Sequence, residues 1–437
     1  MNTAGNIHGQ VIATPGKDFV NRLANWCIAI AVFMGGFVMF EPAPYELLLS
    51  AMLGIWLLFG MRIPREVLPI LILLTIFNVG GLISIFQGTD LNGGLIYVAV
   101  SFFLALTSVF FAILIMDDMG RLRLIFRAYV LSALATSVLG IIGYMGLVPG
   151  FEVFTKYSRA MGAFQDPNVF GPFLTVPILY LIYGIVNRSV SLMPIRICAL
   201  IVLSVALMLS FSRAAWGMTF LSAILFYGLL IINEQKAKTR LKYIVIAIIG
   251  CLAGIVMIAG LIQLEAVSDL LEQRLKLVQD YDSGRGGRFA RHLQGYMFAL
   301  EKPLGVGPLQ FGPIFGADTH NNFLKALMDY GWIGFFSWVT LLLVTVVAGF
   351  KLLFRQRPWL PYFQIAYVTF IGHHVIGNVI DTDHWRHFYL LMGIIWGCIG
   401  LEYRWQRSNG RGELQNSPQS NGLADREVRP HPVTNKA

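Results

Sequence analysis

Apolar segments long enough to cross a bilayer, separated by short polar joins, fill most of the chain. A membrane-spanning helix needs about 20 such residues, whereas the strands of a membrane barrel alternate over about 10. The pattern therefore predicts an all-α polytopic membrane protein with about 12 transmembrane helices. The predicted spans are residues 23–40, 44–61, 67–86, 95–116, 125–147, 169–187, 195–211, 213–232, 243–263, 321–350, 360–380 and 387–404.

The polar joins divide the chain into five parts. Residues 1–22 form an N-terminal segment, and residues 23–263 carry the first nine helices. Residues 264–320 form a large loop, and residues 321–404 carry the last three helices. Residues 405–437 are polar and rich in Asn, Arg, Pro and Ser, so we expect a disordered tail.

Two amphipathic helices are predicted within the large loop. The first would lie along the membrane surface, because its apolar residues are spaced by three and four. These residues are Leu264, Val267, Leu271, Leu275 and Val278. The second helix runs from Gly287 to Glu301, with Arg288 and Arg291 on its polar side.

Composition and charge support this architecture. The chain is 56% hydrophobic and only 13% charged, whereas soluble proteins are about 25% charged. We attribute the net charge of +9 to Lys and Arg that fix membrane topology, not to nucleic-acid binding. Basic joins alternate with joins such as Glu41–Glu46 and Gln87–Asn92, which hold no Lys or Arg. Both termini are therefore predicted in the cytoplasm and the large loop on the outer side.

A minority of basic residues fall on the predicted outer side, where the topology rule disfavours them. They are Lys156, Arg159, Arg213, Arg285, Arg288, Arg291 and Arg386. Ionisable groups at membrane depth carry a function by default. We therefore treat these residues as candidates for substrate binding.

His320 stands at the predicted mouth of the tenth span, in Asp318-Thr319-His320-Asn321-Asn322. With Asp318 or Thr319 as N-cap, His320 would lie in the first turn, where the helix dipole favours a neutral imidazole. A neutral imidazole can act as a general base. The alternative is a histidine that only caps a helix at the headgroup level.

Two arginine motifs suggest anion binding on the same side. Arg213 begins the eighth span. It could contact phosphate in a bidentate manner, through two of its guanidinium nitrogens, or it could extend to lipid headgroups. Arg285-Gly286-Gly287-Arg288 joins the two outer helices. Glycine backbone N–H groups and a helix N-terminus suit an anion there; the alternative is a basic loop on anionic lipid.

Two other patterns are weak. Residues 305–307 form a Gly-x-Gly pair, but no predicted strand precedes it, as a dinucleotide site requires. His384-x-x-His387, with Asp381 and Asp383 nearby, lacks further metal ligands at fixed spacing. We predict no metal and no cofactor.

Together, the motifs of the outer side resemble the O-antigen ligase and polymerase superfamily. The resemblance covers roughly residues 155–400, and its most specific part is the His-Asn pair after a Gly-rich stretch. The residues that carry it are Gly162-Ala163-Phe164, Asp166-Pro167-Asn168, Ser212-Arg213, Arg285, Arg288, Pro303-Leu304-Gly305-Val306-Gly307, His320-Asn321-Asn322-Phe323-Leu324 and Gly331-Trp332-Ile333-Gly334.

The resemblance implies a metal-independent inverting glycosyltransferase of the bacterial inner membrane, with its active site at the periplasmic face. The donor would be a glycan on undecaprenyl diphosphate. An O-antigen ligase of lipopolysaccharide biosynthesis moves it to a hydroxyl of lipid A-core, whereas a polymerase moves it to another lipid-linked unit. His320, Arg213 and Arg288 would be the catalytic residues. The substrate-binding residues would be Arg159, Arg285, Arg291, Asn321, Asn168 and Arg386.

A transporter is the alternative from a different class, either a flippase for lipid-linked sugars or a secondary carrier. Coupled transporters use charged residues in the middle of the membrane, and the predicted spans hold few of them. The two halves of the chain also show no repeat of the kind that such folds often carry. Both observations favour the enzyme.

Overall fold

Helices make up nearly all of the structure. The computed structural model describes residues 15–60, 62–187, 190–263, 267–268 and 286–409. The helices are α1 (Pro15–Met34), α2 (Pro44–Leu58), α3 (Leu68–Ile85), α4 (Leu91–Asp117), α5 (Gly120–Tyr144), α6 (Pro167–Phe173), α7 (Thr175–Asn187), α8 (Met193–Leu209), α9 (Arg213–Asn233), α10 (Ala237–Ile262), α11 (Arg288–Leu300), α12 (Phe311–Phe315), α13 (Asn322–Phe350), α14 (Leu360–Ile376) and α15 (Arg386–Asn409). Short 3-10 helices lie at Arg65–Val67, Phe151–Phe154, Val190–Leu192 and Lys351–Phe354.

A small hairpin lies between α5 and α6. Strands β1 (Thr155–Lys156) and β2 (Arg159–Ala160) pair antiparallel, with Thr155 opposite Ala160 and Lys156 opposite Arg159. The short turn between them forces Tyr157 into the left-handed region, at φ 53°. The hairpin thereby places the side chain of Arg159 next to the beginning of α6.

Each of the twelve predicted spans overlaps a helix of the structure. Within the described residues, seven stretches are long and apolar enough to cross a membrane, and α2 and α8 are apolar but shorter. The seven are Arg65–Ile85, Leu91–Asp117, Gly120–Tyr144, Pro167–Asn187, Arg213–Asn233, Ala237–Ile262 and Asn322–Phe354. The prediction of an all-α membrane protein is confirmed. The number of spans and the periplasmic position of the large loop stay predictions.

Some predicted boundaries differ from the helix ends. α1 begins at Pro15, inside the predicted N-terminal segment, and α15 continues to Asn409, inside the predicted tail. The helix predicted from Gly287 to Glu301 is confirmed as α11. The amphipathic helix predicted from Leu264 lies outside the described residues, apart from residues 267–268. The tail beyond Asn409 also lies outside them.

Small residues let the central helices approach closely, as is common in membrane bundles. A Cβ atom on Gly80 of α3 would lie 2.5 Å from the carbonyl oxygen of Tyr330 in α13. A Cβ atom on Gly393 of α15 would lie 2.8 Å from the carbonyl oxygen of Ser108 in α4. α13 and α15, which flank the candidate site, are thus held at fixed distances from α3 and α4.

α13 is broken at Gly331, whose φ of 65° and ψ of −173° are not helical. The segment that begins at Pro303 inserts beside this break. Trp332 N donates to Pro303 O at 2.9 Å, and Val306 N donates to Met328 O at 2.7 Å. Non-helical backbone is tolerated at membrane depth where protein groups satisfy it. The break leaves a short outer part of α13, which begins at the His-Asn-Asn motif.

Candidate active site

His320 lies just before α13, in a left-handed backbone conformation with φ of 46°. The N-cap is Asn321, whose Oδ1 accepts hydrogen bonds from Phe323 N and Leu324 N, both at 3.0 Å. The prediction that Asp318 or Thr319 caps this helix is therefore wrong. His320 is outside the first turn, and its side chain is 41% exposed.

Asp381 holds the segment around His320. Its Oδ2 accepts from His320 N at 3.1 Å, and its Oδ1 accepts from Asn321 N at 2.9 Å and from Thr319 Oγ1 at 3.2 Å. A left-handed conformation costs a residue with a Cβ atom on the order of 1–3 kcal/mol. The hydrogen bonds to the carboxylate offset that cost. His320 Nδ1 lies 3.8 Å from Asp381 Oδ2, so the carboxylate also stands beside the imidazole.

Asp381 belongs to residues 377–385, which we call the α14–α15 loop. Asn322 fixes this loop to α13, because Asn322 Nδ2 donates to Thr382 Oγ1 at 2.5 Å and Thr382 N donates to Asn322 Oδ1 at 2.7 Å. Asn321 Nδ2 donates to Asn378 O at 3.2 Å. The His-Asn-Asn motif thus connects the start of α13 to the α14–α15 loop through hydrogen bonds.

α11 brings Arg288 to the same loop. Arg288 is the first residue of α11, and its Nη1 donates to Val379 O at 2.9 Å. Further along α11, His292 Nε2 lies 2.7 Å from Thr319 O, and Tyr296 OH donates to Asn321 Oδ1 at 3.2 Å. One face of α11 therefore packs on the His320 segment.

Burial changes the acidity of two groups at this contact. Burial lowers the pKa of His292 below its usual value, although the Thr319 carbonyl partly opposes the shift. Burial raises the pKa of Tyr296, and its hydrogen bond to Asn321 partly opposes that shift. His292 and Tyr296 are therefore neutral hydrogen-bonding groups at neutral pH. They support the position of residues 319–321.

The apolar stripe of α11 faces away from this contact. Phe289, Leu293 and Leu300 are 54%, 67% and 66% exposed, whereas His292 and Ala299 are buried. A soluble protein would bury the stripe, but a helix at a membrane surface turns it toward lipid. The exposed stripe therefore agrees with a position of α11 at a membrane surface.

A second cluster forms around Arg159, which is only 5% exposed. Its Nε donates to Ser210 O at 2.7 Å, and its Nη2 donates to Asn168 Oδ1 at 2.8 Å. Ser212 accepts from Ala215 N as the N-cap of α9, so Arg213 is the first residue of that helix. Arg159 thus joins the hairpin, the start of α6 and the turn that presents Arg213.

Helix packing relates the two clusters. α9 begins at Arg213 and α14 ends at Ile376, directly before the α14–α15 loop. The two helices cross closely where a Cβ atom on Gly372 would lie 2.9 Å from the Met218 side chain. Met218 is about 1.4 turns from the start of α9, and Gly372 is about 1.1 turns from the end of α14. The Arg213 turn and the α14–α15 loop therefore lie on the same side of the bundle.

Other predicted site residues have different surroundings. Arg386 pairs with Glu46 and, at 3.0 Å, with Glu41, so it ties α15 to the join between α1 and α2. Its outer position is explained by this ion pair. Arg291 Nη1 donates to Gly286 O at 2.5 Å, beside Arg288. Arg285 lies outside the described residues.

Residues 303–307 have a structural role. Gly305 has φ of 80°, and a Cβ atom there would lie 2.4 Å from Ser84 Oγ and 2.6 Å from Met328 O. Gly307 N donates to Ser84 Oγ at 3.0 Å. This glycine-rich stretch therefore seals the break in α13 against α3, and it is not a nucleotide loop.

The His384 and His387 pair does not converge on one point. His384 Nδ1 lies 2.8 Å from Asp383 Oδ2, whereas the ring centroid of His387 is 5.2 Å from that of His373. Within the described residues, no group of three or more His, Cys, Asp or Glu side chains is placed to hold a metal ion.

Several residues that hold the site together were not predicted from the sequence. Asp381 was considered only as a metal ligand, and His292, Tyr296 and Thr382 were not singled out. The available signal was the polar run of residues 381–384 between two apolar helices. Such a run at a short outer join marks a segment whose side chains serve another part of the fold.

Comparison with known proteins gives one match. The family model described as O-antigen ligase matches residues 198–339. The matched residues include Arg213, Arg288, His320 and Asn321, whereas the α14–α15 loop follows them. No match was found among curated proteins or among solved structures.

Proposed function

Because the match over residues 198–339 confirms the resemblance to the O-antigen ligase superfamily, we propose that the protein is a membrane glycosyltransferase that acts at the periplasmic face of the inner membrane. It transfers a glycan from undecaprenyl diphosphate to a hydroxyl acceptor and inverts the anomeric centre. The acceptor we propose is lipid A-core, which makes the protein an O-antigen ligase; a polymerase of the same superfamily is the alternative.

One observation supports the proposal most strongly. Arg288 and the His320-Asn321 pair come from different parts of the large loop, yet both contact residues 379–381. A base and a cation are thus held by the same short segment. This arrangement suits a reaction in which a hydroxyl loses a proton while a diphosphate leaves.

His320 is the proposed general base. Its side chain is 41% exposed, so an acceptor hydroxyl can reach it. The imidazole takes the hydroxyl proton as the oxygen attacks the anomeric carbon, and the bond to the diphosphate breaks on the opposite side. General-base catalysis contributes about 10²–10⁴-fold. Asp381 stands beside the imidazole and stabilises the cation that forms.

Arg213 and Arg288 are proposed to bind the diphosphate. Each is the first residue of its helix, so backbone N–H groups and the helix dipole add to the positive charge. Preorganised positive charge stabilises a leaving group that gains negative charge in the transition state. Diphosphate is a stable anion, and this step needs no general acid. Arg159 positions the Arg213 turn through Ser210.

Transfer by the purified protein tests the proposal. The protein is reconstituted in liposomes and given lipid-linked glycan with either lipid A-core or further lipid-linked units. Glycan on lipid A-core identifies a ligase, and longer lipid-linked chains identify a polymerase. Absence of transfer to both acceptors, together with movement of the donor between leaflets, contradicts the enzyme and supports a flippase.

Membrane topology is tested separately. Tyr157, in the hairpin turn, is 71% exposed, and Gln235, between α9 and α10, is also exposed. In a background without the four native cysteines, we expect an impermeant thiol reagent to label Tyr157→Cys in cells with a permeable outer membrane. Gln235→Cys is the matched control and should react only after lysis. The reverse pattern excludes a periplasmic site.

A further inference from the structure

The first two turns of α13 contain a buried ion pair. Lys325 Nζ lies 3.1 Å from Asp329 Oδ2, and the two side chains are 12% and 1% exposed. Besides Lys325, no described residue donates a hydrogen bond to either carboxylate oxygen of Asp329. Removing two charges from water costs several kcal/mol per ion. A pair of this kind at the outer end of a membrane helix suggests a role beyond stability.

Tyr97 of α4 connects the same lysine to a second carboxylate, that of Asp383. Lys325 Nζ lies 5.2 Å from the centroid of the Tyr97 ring. Tyr97 OH donates to Asp383 Oδ2 at 2.7 Å, and His384 Nδ1 lies 2.8 Å from the same oxygen. The His384 ring packs on Tyr97, with 3.9 Å between the ring centroids. Tyr97 thus connects Lys325, which pairs with Asp329, to the carboxylate of Asp383.

Electrostatics favours an ionised Asp383. Burial opposes its ionisation, but His384 and Lys325 outweigh burial and hold the pKa of Asp383 below its usual value. Lys325 also interacts electrostatically with Asp381. Tyr97, Tyr330 and Tyr389 face Asp383 from α4, α13 and α15 as neutral groups. The lysine therefore compensates carboxylates on both α13 and the α14–α15 loop.

The position of Asp383 matters because it is two residues from Asp381, which holds His320. We propose that Lys325 is a positioning residue. Its charge holds Asp383 in place, and thereby the α14–α15 loop, so that Asp381 stays beside His320. The effect on catalysis rests on the proposed function, since His320 is the base there. The anchoring of the loop does not depend on it.

The test compares four variants of the full-length protein. Lys325→Arg keeps the charge, and Lys325→Met removes it. The double variant Lys325→Met/Asp329→Asn also removes the charge, but it leaves no unpaired carboxylate on α13 and so protects folding. Asp329→Asn alone keeps the lysine for Asp383 and is the matched control.

We expect Lys325→Met and the double variant to lower kcat by about 10²-fold, as a small misplacement of a catalytic group does, with KM for the lipid-linked donor unchanged. Lys325→Arg and Asp329→Asn should keep kcat within about threefold of wild type. Recovery of kcat in the double variant would mean that Lys325 serves Asp329 alone, and the proposal would be overturned.

Amide hydrogen exchange of residues 377–385 gives a readout apart from activity. The proposal expects faster exchange there in Lys325→Met and in the double variant, but not in Asp329→Asn. Unchanged exchange in the double variant overturns it. If the wild-type protein transfers no glycan, the proposed function fails, whereas faster loop exchange still supports the anchoring role.

Discussion

Two carboxylates at opposite ends of the bundle accept similar numbers of hydrogen bonds from very different donors. Glu402, near the end of α15, is 2% exposed and accepts from Arg355 at 2.6 Å and from Arg357 at 2.8 Å. Asp381 is 20% exposed and accepts from two backbone N–H groups and the Thr319 hydroxyl. The carboxylate of Glu402 is paired with two cationic donors, whereas the hydrogen-bond donors of Asp381 are neutral.

The difference indicates a structural role for Glu402 and agrees with the role that we propose for Asp381. Two guanidinium groups neutralise Glu402, and the Arg357 guanidinium also lies 5.0 Å from the Trp405 ring. That end of the bundle therefore has its charges fixed. The negative charge of Asp381 remains available to a neighbour, and the nearest imidazole is that of His320. Hydrogen bonding fixes the geometry at both ends, but only Glu402 is paired with arginines.

The largest effect is expected at His320. His320→Ala should lower turnover by about 10²–10⁴-fold, because the general base is lost. Donor binding should persist, since the arginines are unchanged. Turnover and donor binding are both measured on the purified protein in liposomes. Turnover near wild type at normal folded yield would remove His320 from the mechanism and leave the outer cluster with a structural role only.

The second largest effect is expected for arginine substitutions, which should lower activity at the Asp381 end of the bundle but not at the Glu402 end. Arg213→Lys or Arg288→Lys keeps the charge but loses the planar pair of donors, so we expect activity to fall by about 10²-fold, as on loss of one preorganised donor. Arg355→Lys and Arg357→Lys are the matched controls and should leave turnover per folded molecule unchanged. Full activity in both outer variants would mean that only general positive charge is needed.

Glu402→Gln should affect stability and not catalysis. Removing one partner of a buried ion pair destabilises a protein by on the order of 3 kcal/mol, and here it leaves two arginines without their carboxylate. Unfolding in detergent, followed by the fluorescence of the native tryptophans, measures this loss. A drop in turnover at normal stability would show that Glu402 is coupled to the outer site.

The smallest effect concerns pH. The pKa of His292 is lowered in the folded protein by burial and, to a smaller extent, by Arg288 and His320, with Thr319 and Asp381 opposing. The folded protein thus favours neutral His292, and its contribution to stability is complete above the unfolded pKa of about 6.5. It decreases as the pH falls through the lower folded value.

His292→Gln keeps a hydrogen bond to Thr319 but cannot titrate. Unfolding free energies at pH 7.5, 6.5 and 5.5 should therefore fall less in this variant than in wild type; these pH values are roughly centred on the histidine pKa. Equal slopes for the two proteins would mean that His292 does not couple α11 to the site.

The membrane helices could be predicted because the bilayer imposes one rule on each of them: a long apolar run. The site could be predicted only where function requires particular residue types close together in the chain. His320 and Asn321 meet that condition as neighbours in one motif, although their roles, like that of Arg288, stay predictions. Asp381 does not, because its contact with His320 joins residues 61 positions apart, and hydrophobic periodicity carries no information on such a pairing.

One wrong prediction and one unforeseen pair of contacts have a physical cause. Asp318 and Thr319 are good N-cap residues, but the helix begins later, because Asn321 can cap α13 and at the same time contact Asn378. Arg386 was treated as a substrate ligand, since outer arginines are unusual. Its partners Glu41 and Glu46 lie some 340 residues earlier, and only the folded bundle brings them to it.

The hydrogen bonds between the His320 segment and Asp381 also have a consequence for biosynthesis. Asp381 and Thr382 are made some 60 residues after the segment they hold, and α15 follows them. A nascent chain that has inserted thirteen of the helices described here already displays Arg213, Arg288 and His320. At that stage, the carboxylate of Asp381 is not yet present beside the imidazole of His320. The hydrogen bonds that hold the His320 segment can therefore form only after residues 381–382 have been synthesised.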